Sequence, residues 1–242
     1  MDWIFGIHAV QSILKTTPQR IKELRVVKMR QDMRLQKLLN LADQHGVVVH
    51  WSTPQNLDSL IDGRHQGVAA LCKEGETYNE EYLYKIVEEQ GKNTFFLMLD
   101  GVTDPHNLGA CLRAAEGAGV HAVIVPKDNS VGLTPVVSKV ASGAAETMPL
   151  IVVTNLARTL NDLQARGLWG VGTTGEAEKT IFDVDLVGPL VLVMGSEGTG
   201  MRKLVTSKCD FLAKLPMAGK VSSLNVSVAA GICLFEAVRQ RS

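Results

Sequence analysis

From residue 95 onward the chain keeps returning to a short apolar run. The runs are FFLML (95–99), HAVIV (121–125), LIVV (150–153), LWGVG (168–172), LVLVM (190–194) and FLAKL (211–215). Each has the length of a strand and is apolar at almost every position, the pattern of a strand buried on both faces. Helical periodicity fills most of the gaps between them. That alternation restricts this part of the chain to an α/β fold, a Rossmann-like, mainly parallel sheet with helices on both faces. Ligands of such sheets bind beyond the carboxyl ends of the strands, so the loops to inspect are those that follow strands.

Ahead of this region the pattern is different. IKELRVVKM (21–29), GVVVHW (46–51) and GVAALC (67–72) read as short strands, and RLQKLLNLADQHG (34–46) as a helix ending at a glycine. Residues 1–74 are therefore expected to form a small α/β domain of their own. Residues 75–92 are polar, acidic and closed by Gly91, and read as a linker with a helical centre. Residues 93–242 make the second domain. MDWIFGIHAV lacks the basic, apolar and small-residue succession of a signal peptide. No apolar run reaches the length of a membrane span. Cys72, Cys111, Cys209 and Cys233 stand apart, without metal-ligand spacing or a disulfide pattern. A reducing cytoplasm and no metal are expected.

Formal charge sums to zero, but it is unevenly spread. Residues 1–74 hold 10 basic and 7 acidic side chains, residues 75–92 hold 2 and 5, and residues 93–242 hold 13 of each. Lys22, Arg25, Lys28, Arg30, Arg34 and Lys37 crowd into the first domain. Taken singly they are ordinary solvated side chains. Their concentration permits an RNA partner.

Three strand-following loops carry chemistry. LDGVTDPHNLGACLRAAEGAG (99–119) turns at Asp104-Pro105 and enters a helix near Asn107. Leu108, Cys111, Leu112 and Ala115 form its buried stripe. Arg113 lies off that stripe among small residues, either as a solvated surface arginine or as a contact to an oxyanion or phosphate. LVLVMGSEGTGM (190–201) places Glu197 inside a glycine turn whose backbone could approach a ligand closely. Its GxxGxG order is not the dinucleotide fingerprint, and no GKS or GKT follows a glycine-rich turn. LAKLPMAGKVSSLN (212–225) breaks at Pro216 and Gly219 and ends on Ser223 and Asn225. The helix after it shows an apolar stripe of Leu224, Val228, Ile232, Phe235 and Val238, expected to face the core. Ser223, Ser227 and Gly231 make a second face of small residues. With His106 the lone histidine candidate, this inventory suits positioning chemistry better than nucleophilic or metal-assisted hydrolysis.

DPHNLGACLRAAEGAG, VLVMGSEGTGM and LPMAGKVSSLNVSVAAGICLFEAVRQR together resemble the three motifs of the SpoU family (SPOUT superfamily) of RNA ribose 2'-O-methyltransferases, in the family's order. Residues 1–74 resemble the N-terminal substrate-binding domain of members that act on guanosine in 23S rRNA. The resemblance implies a deep trefoil knot near the C-terminus, S-adenosylmethionine as cofactor, 23S rRNA as partner, and a homodimer with its site at the subunit interface. It implies methyl transfer to one ribose 2'-hydroxyl, that of a guanosine in the peptidyl-transferase P-loop. Carried over position by position, Gly195, Leu215, Leu224 and Thr173 are cofactor-binding. Asn107, Arg113, Glu197, Ser223 and Asn225 form the catalytic cluster. A SpoU enzyme acting on another rRNA or tRNA site, and a non-catalytic RNA-binding or ribosome-assembly protein, are the rival readings.

Overall fold

The computed structural model describes residues 2–28, 33–73 and 78–242. Arg30 of the basic group, Met29 of the first expected strand and residues 75–77 of the expected linker lie outside them. The chain forms two compact units. One is Met1–Glu76 with Leu133–Thr147, the other Thr77–Gly132 with Met148–Ser242.

The first unit runs β1 (Asp2–Phe5), α1 (Ile7–Thr16), β2 (Ile21–Val27), α2 (Met33–Gln44), β3 (Val49–Ser52), α3 (Pro54–Asp58) and β4 (Val68–Cys72). The sheet order is β1-β4-β2-β3. Alternation along the strands sends Leu24, Val26, Val68 and Ala70 to one face. There they pack under Val10, Ile13 and Leu14 of α1 and Leu38 of α2. The other face holds a smaller cluster of Phe5, Val27, Leu57, Ile61 and Ala69. Residues 133–147, expected with the second domain, group with this unit. Ser12 Oγ donates to the Gly143 carbonyl at 3.0 Å, and Arg20 Nη1 lies 2.7 Å from Glu146 Oε2.

The second unit begins with α4 (Glu80–Gln90) and continues through β5 (Phe95–Asp100), α5 (Pro105–Gly117) and β6 (Ala122–Pro126). After α6 (Pro135–Ala141), which groups with the first unit, come β7 (Leu150–Val153), α7 (Leu156–Gln164), β8 (Trp169–Thr173), β9 (Leu190–Gly195), α8 (Lys203–Thr206), β10 (Phe211–Ala213) and α9 (Val226–Arg241). All six expected strands are present. They form one sheet in the order β10-β8-β9-β5-β6-β7, parallel at every pairing. The stretch expected as a linker carries α4, whose Leu83 and Ile86 are buried with Phe96, Met98 and Leu160. No helix among the described residues is long and apolar enough to cross a membrane.

The last helix corrects one expectation. Of the stripe assigned to the core, Val228 is 51% exposed, Ile232 38% and Phe235 52%. The buried side is Val226, Ala230, Cys233, Leu234 and Ala237 instead. A helix apolar on two faces gives a periodicity that fits either phase. Small residues won because they let α9 lie close against α5, with which it packs.

One ion pair fixes the loop after β9. Asp100, at the end of β5 and 1% exposed, accepts from the Arg202 backbone N–H and from Arg202 Nε, both at 2.7 Å. It thereby ties the far end of the glycine loop to the neighbouring strand. Removing the guanidinium strands a buried carboxylate with only the backbone donor. Arg202→Met is expected to lower unfolding free energy by about 3 kcal/mol in urea denaturation. An unchanged midpoint would show that the pair does not anchor the loop.

Candidate active site

Local chemistry explains how each of the three loops is held. After β5, Asp104 caps α5 by accepting from the His106 N–H at 2.8 Å, and Pro105 occupies the first turn, where a missing N–H costs nothing. This places Asn107 in the first turn, only 9% exposed although polar. After β9, Ser196 and Gly200 pair across a tight turn with Glu197 at its tip. Gly198 and Gly200 adopt φ of +80° and +68°. A Cβ on Gly195 would lie 2.1 Å from the Gly200 carbonyl carbon, so only glycine allows this closure. After β10, Asn225 caps α9: its Oδ1 accepts from the Ser227 N–H at 2.9 Å and from Ser227 Oγ at 2.6 Å.

The three loops converge on one atom. Glu197 Oε1 accepts from Asn107 Nδ2 at 3.2 Å, from the Val226 backbone N–H at 3.2 Å, and from Asn225 Nδ2 at close range. Asn225 Nδ2 also donates to Asn107 Oδ1 at 2.8 Å. Oε2 takes part in none of these bonds. Three residues of the expected catalytic cluster, Asn107, Glu197 and Asn225, are thus joined directly. Arg113 sits exposed two turns along α5. Ser223 is exposed in the loop before α9.

Beside this junction, beyond the carboxyl ends of β8 and β9, lies a cavity of about 540 Å³. All four expected cofactor positions, Thr173, Gly195, Leu215 and Leu224, line it, and so do Glu197 and Ser223. Asn107, Arg113 and Asn225 are not among its lining residues. Its volume lies within the ~300–1,000 Å³ of small-molecule and cofactor pockets. Its wall mixes glycine backbone and apolar side chains with hydroxyls, the carboxylates of Glu176 and Glu197 and the Lys214 ammonium, which suits a ligand with both apolar and polar parts.

Sequence reasoning missed Glu176, Met194, Lys214 and Met217, which also line this cavity. Lys214 and Met217 flank Leu215 and could have been found by inspecting its neighbours. Glu176 comes from the turn after β8, and only the strand order brings that turn beside the loop after β10. Burial pushes Cys72, Cys111, Cys209 and Cys233 each up to about 12, so they stay protonated at neutral pH. No group of three or more potential metal ligands occurs among the described residues.

Comparison with known proteins agrees with this geometry. Residues 94–235 match the model of the SpoU rRNA Methylase family, and residues 3–78 match that of RNA 2'-O ribose methyltransferase substrate binding. The chain is 56% identical over 241 residues to the 23S rRNA (guanosine-2'-O-)-methyltransferase RlmB of Pseudomonas putida, covering 100% of this chain and 97% of that relative. It is 54% identical over 242 residues to the same-named protein of Escherichia coli, covering 100% and 99%. Among solved structures it superposes on the SpoU methyltransferase AviRb from Streptomyces viridochromogenes with a TM-score of 0.80 at 24% identity, over 99% of this chain and 89% of that one. Sheet order, glycine loop and full-length identity lead to one assignment: the chain belongs to the SpoU rRNA methylase family.

Proposed function

We propose that this chain transfers a methyl group from S-adenosylmethionine to the ribose 2'-hydroxyl of a guanosine in 23S rRNA. The observation that carries the reading is the junction at Glu197 Oε1, which ties the three motif loops together at the edge of a cofactor-sized cavity. The relatives bearing the name 23S rRNA (guanosine-2'-O-)-methyltransferase match along the whole chain. The deep trefoil knot goes with the same membership. Residues 1–74 are assigned to RNA docking and 93–242 to chemistry, and the compartment is taken to be the cytoplasm.

S-adenosylmethionine, when bound, supplies a methyl carbon activated by a sulfonium. The task left to the protein would be to hold a weakly acidic hydroxyl in line with that carbon, to let its proton pass to the Glu197 carboxylate on the cavity wall or through it to solvent as the new oxygen–carbon bond forms and the carbon–sulfur bond breaks, and to stabilise the charge on its oxygen. Such orientation is worth roughly 7–11 kcal/mol. Thr173, Gly195, Leu215 and Leu224 hold the cofactor from the cavity wall. Asn107, Glu197 and Asn225 act as positioning residues, because their bonds to one another fix the loops on which the acceptor ribose would rest. Ser223, on the cavity rim, donates to the polar end of either ligand. Arg113 is assigned to the developing oxyanion or its neighbouring phosphate. A guanidinium is permanently charged and keeps its protons, so it stabilises charge rather than acting as the base.

Arg113→Ala is therefore expected to lower the rate of methyl transfer to a 23S rRNA transcript by about 10²–10³-fold. Calorimetric affinity for S-adenosylmethionine should be unchanged. Normal turnover would remove Arg113 from the mechanism. Mass-spectrometric mapping in a strain lacking the protein should reveal one 2'-O-methylguanosine missing from 23S rRNA. A loss in tRNA instead would move the substrate to another RNA.

A homodimer is also proposed. Val228, Ile232 and Phe235 stand exposed at i, i+4 and i+7 on α9, an apolar stripe that a second copy would cover. Val228 lies one turn from Asn225, which would set the subunit interface beside the site. Sedimentation should give a dimer for the natural chain and a monomer for Phe235→Glu; a natural chain sedimenting as a monomer would refute the pairing.

A further inference from the structure

The first unit contains a cavity of about 420 Å³, separate from the one already described. It lies where β2 begins and where the segment after α2 leads into β3. Pro18, Gln19, Lys22, His45, Gly46 and Val48 contribute to its wall, and no carboxylate does. Its two titratable side chains, Lys22 and His45, are both exposed.

Sheet register connects this cavity to an open patch. Parallel pairing of Leu24 with Val49 and Arg25 with His50, continued one residue to Val48 just before β3, sets Val48 beside Glu23. Glu23 pairs with Leu71, and Leu71 with Trp3. These four residues make one row across the sheet, on the face opposite α1 and α2. The Phe5, Val27 and Ala69 end of that face is covered by Leu57 and Ile61. Trp3 packs partly against that cluster, and the row opens from there toward β3: Val48 is 69% exposed, while Trp3, Leu71 and Glu23 are half-buried. Arg25 pairs with Ala69, whose small side chain leaves room above β4, and its guanidinium lies 5.4 Å from the Trp3 ring centroid. Glu23 Oε1 holds Arg25 Nε at 2.6 Å, which steadies the guanidinium.

Cavity and row together present a basic pocket at one end and an aromatic ring with a guanidinium at the other. Three strand spacings separate β3 from β1 in this sheet, about 14 Å at ~4.8 Å each. That distance suits two or three nucleotides of an unpaired strand. Unpaired RNA is recognised in this way, by stacking bases on aromatic or arginine planes and meeting phosphates with cations. Double-stranded RNA offers no base face for the ring. An acidic peptide would use Lys22 and His45 but leave Trp3 and Arg25 without a role.

We propose that this cleft, from the Lys22–His45 cavity across the open row to Trp3 and Arg25, binds an unpaired stretch of the RNA substrate. Phosphate lies at the cavity and a base stacks at Trp3. The proposal rests on the methyl-transfer reading for the identity of the RNA. Lys22→Gln/His45→Gln in the full chain replaces exposed groups and leaves the core untouched. Binding of a 23S rRNA transcript is measured by fluorescence anisotropy across a salt series. The double variant should bind about tenfold more weakly at low salt, with a slope against salt shallower by about one. Trp3→Leu should weaken binding about tenfold while leaving the slope unchanged. Calorimetric affinity for S-adenosylmethionine should stay at the natural value in both, which shows that the other cavity is intact, and urea-unfolding midpoints equal to the natural chain's show that the first unit is still folded. Transcript affinity and salt slope equal to the natural chain's in both variants would overturn the cleft while leaving the reaction assignment standing. A natural chain that neither binds nor methylates the transcript would sink the reaction assignment and the cleft with it.

Discussion

A single carboxylate oxygen joins segments that are far apart in sequence. Glu197 Oε1 accepts from the Asn107 amide, the Asn225 amide and the Val226 backbone N–H. Hydrogen bonds to a charged acceptor are worth about 1.5–3 kcal/mol each, roughly twice those between neutral groups. Asn225 is the pivotal partner. Its oxygen caps α9 and its nitrogen reaches Glu197 and Asn107. The start of the last helix and the geometry of the site are therefore one structural event. A change that frees Asn225 unsettles both, because the cap and the junction share its short side chain.

The glycine loop can present Glu197 only because its base is fixed in two ways. The Asp100–Arg202 pair ties its exit to β5. The contact of Gly195 with the Gly200–Met201 backbone closes it more tightly than any side chain would permit. Both devices act at the ends of central strands, β5 and β9, whose side chains are buried on both faces. The rigid part of the sheet thus sets the position of an exposed loop. This is the arrangement expected of a site that works by orientation: precision comes from the scaffold, and the polar tip projects toward the ligand.

Much of this was legible in the residues, and the failures have physical causes. The six strands of the second unit announce themselves because a strand buried on both faces must be apolar throughout. The helical centre of residues 75–92 was also legible, but not that it belongs to the core, because Leu83 and Ile86 are the only buried residues of α4 and acidic neighbours outweigh them. Tertiary contact with Phe96 and Met98 makes it part of the core. The phase of α9 was misread because bulky apolar residues mark its exposed side, while Ala230, Cys233 and Ala237 join Val226 and Leu234 on its buried side. Periodicity weighs hydrophobicity, whereas close packing of α9 on α5 selects for size. At the site, motif residues were visible as motifs, but Glu176 was not, because its place on the wall depends on β8 lying between β9 and β10.

Charge is divided between the two units in a way that bears on mechanism. The whole chain is neutral, yet its first 74 residues carry a basic excess, while residues 93–242 balance. The Glu197 junction uses a carboxylate, amides and one backbone N–H, with Arg113 the one cation among the residues assigned to chemistry. A strongly basic cavity would hold any stretch of RNA phosphate and would also disfavour a cationic sulfonium. Separating the two tasks avoids that conflict. On the proposed division of roles, non-specific attraction to the polyanion, which weakens steeply with salt, would come from the basic unit. The proposed methyl-donor site would then keep the hydrogen-bonded, weakly charged surroundings that suit in-line transfer from a cation.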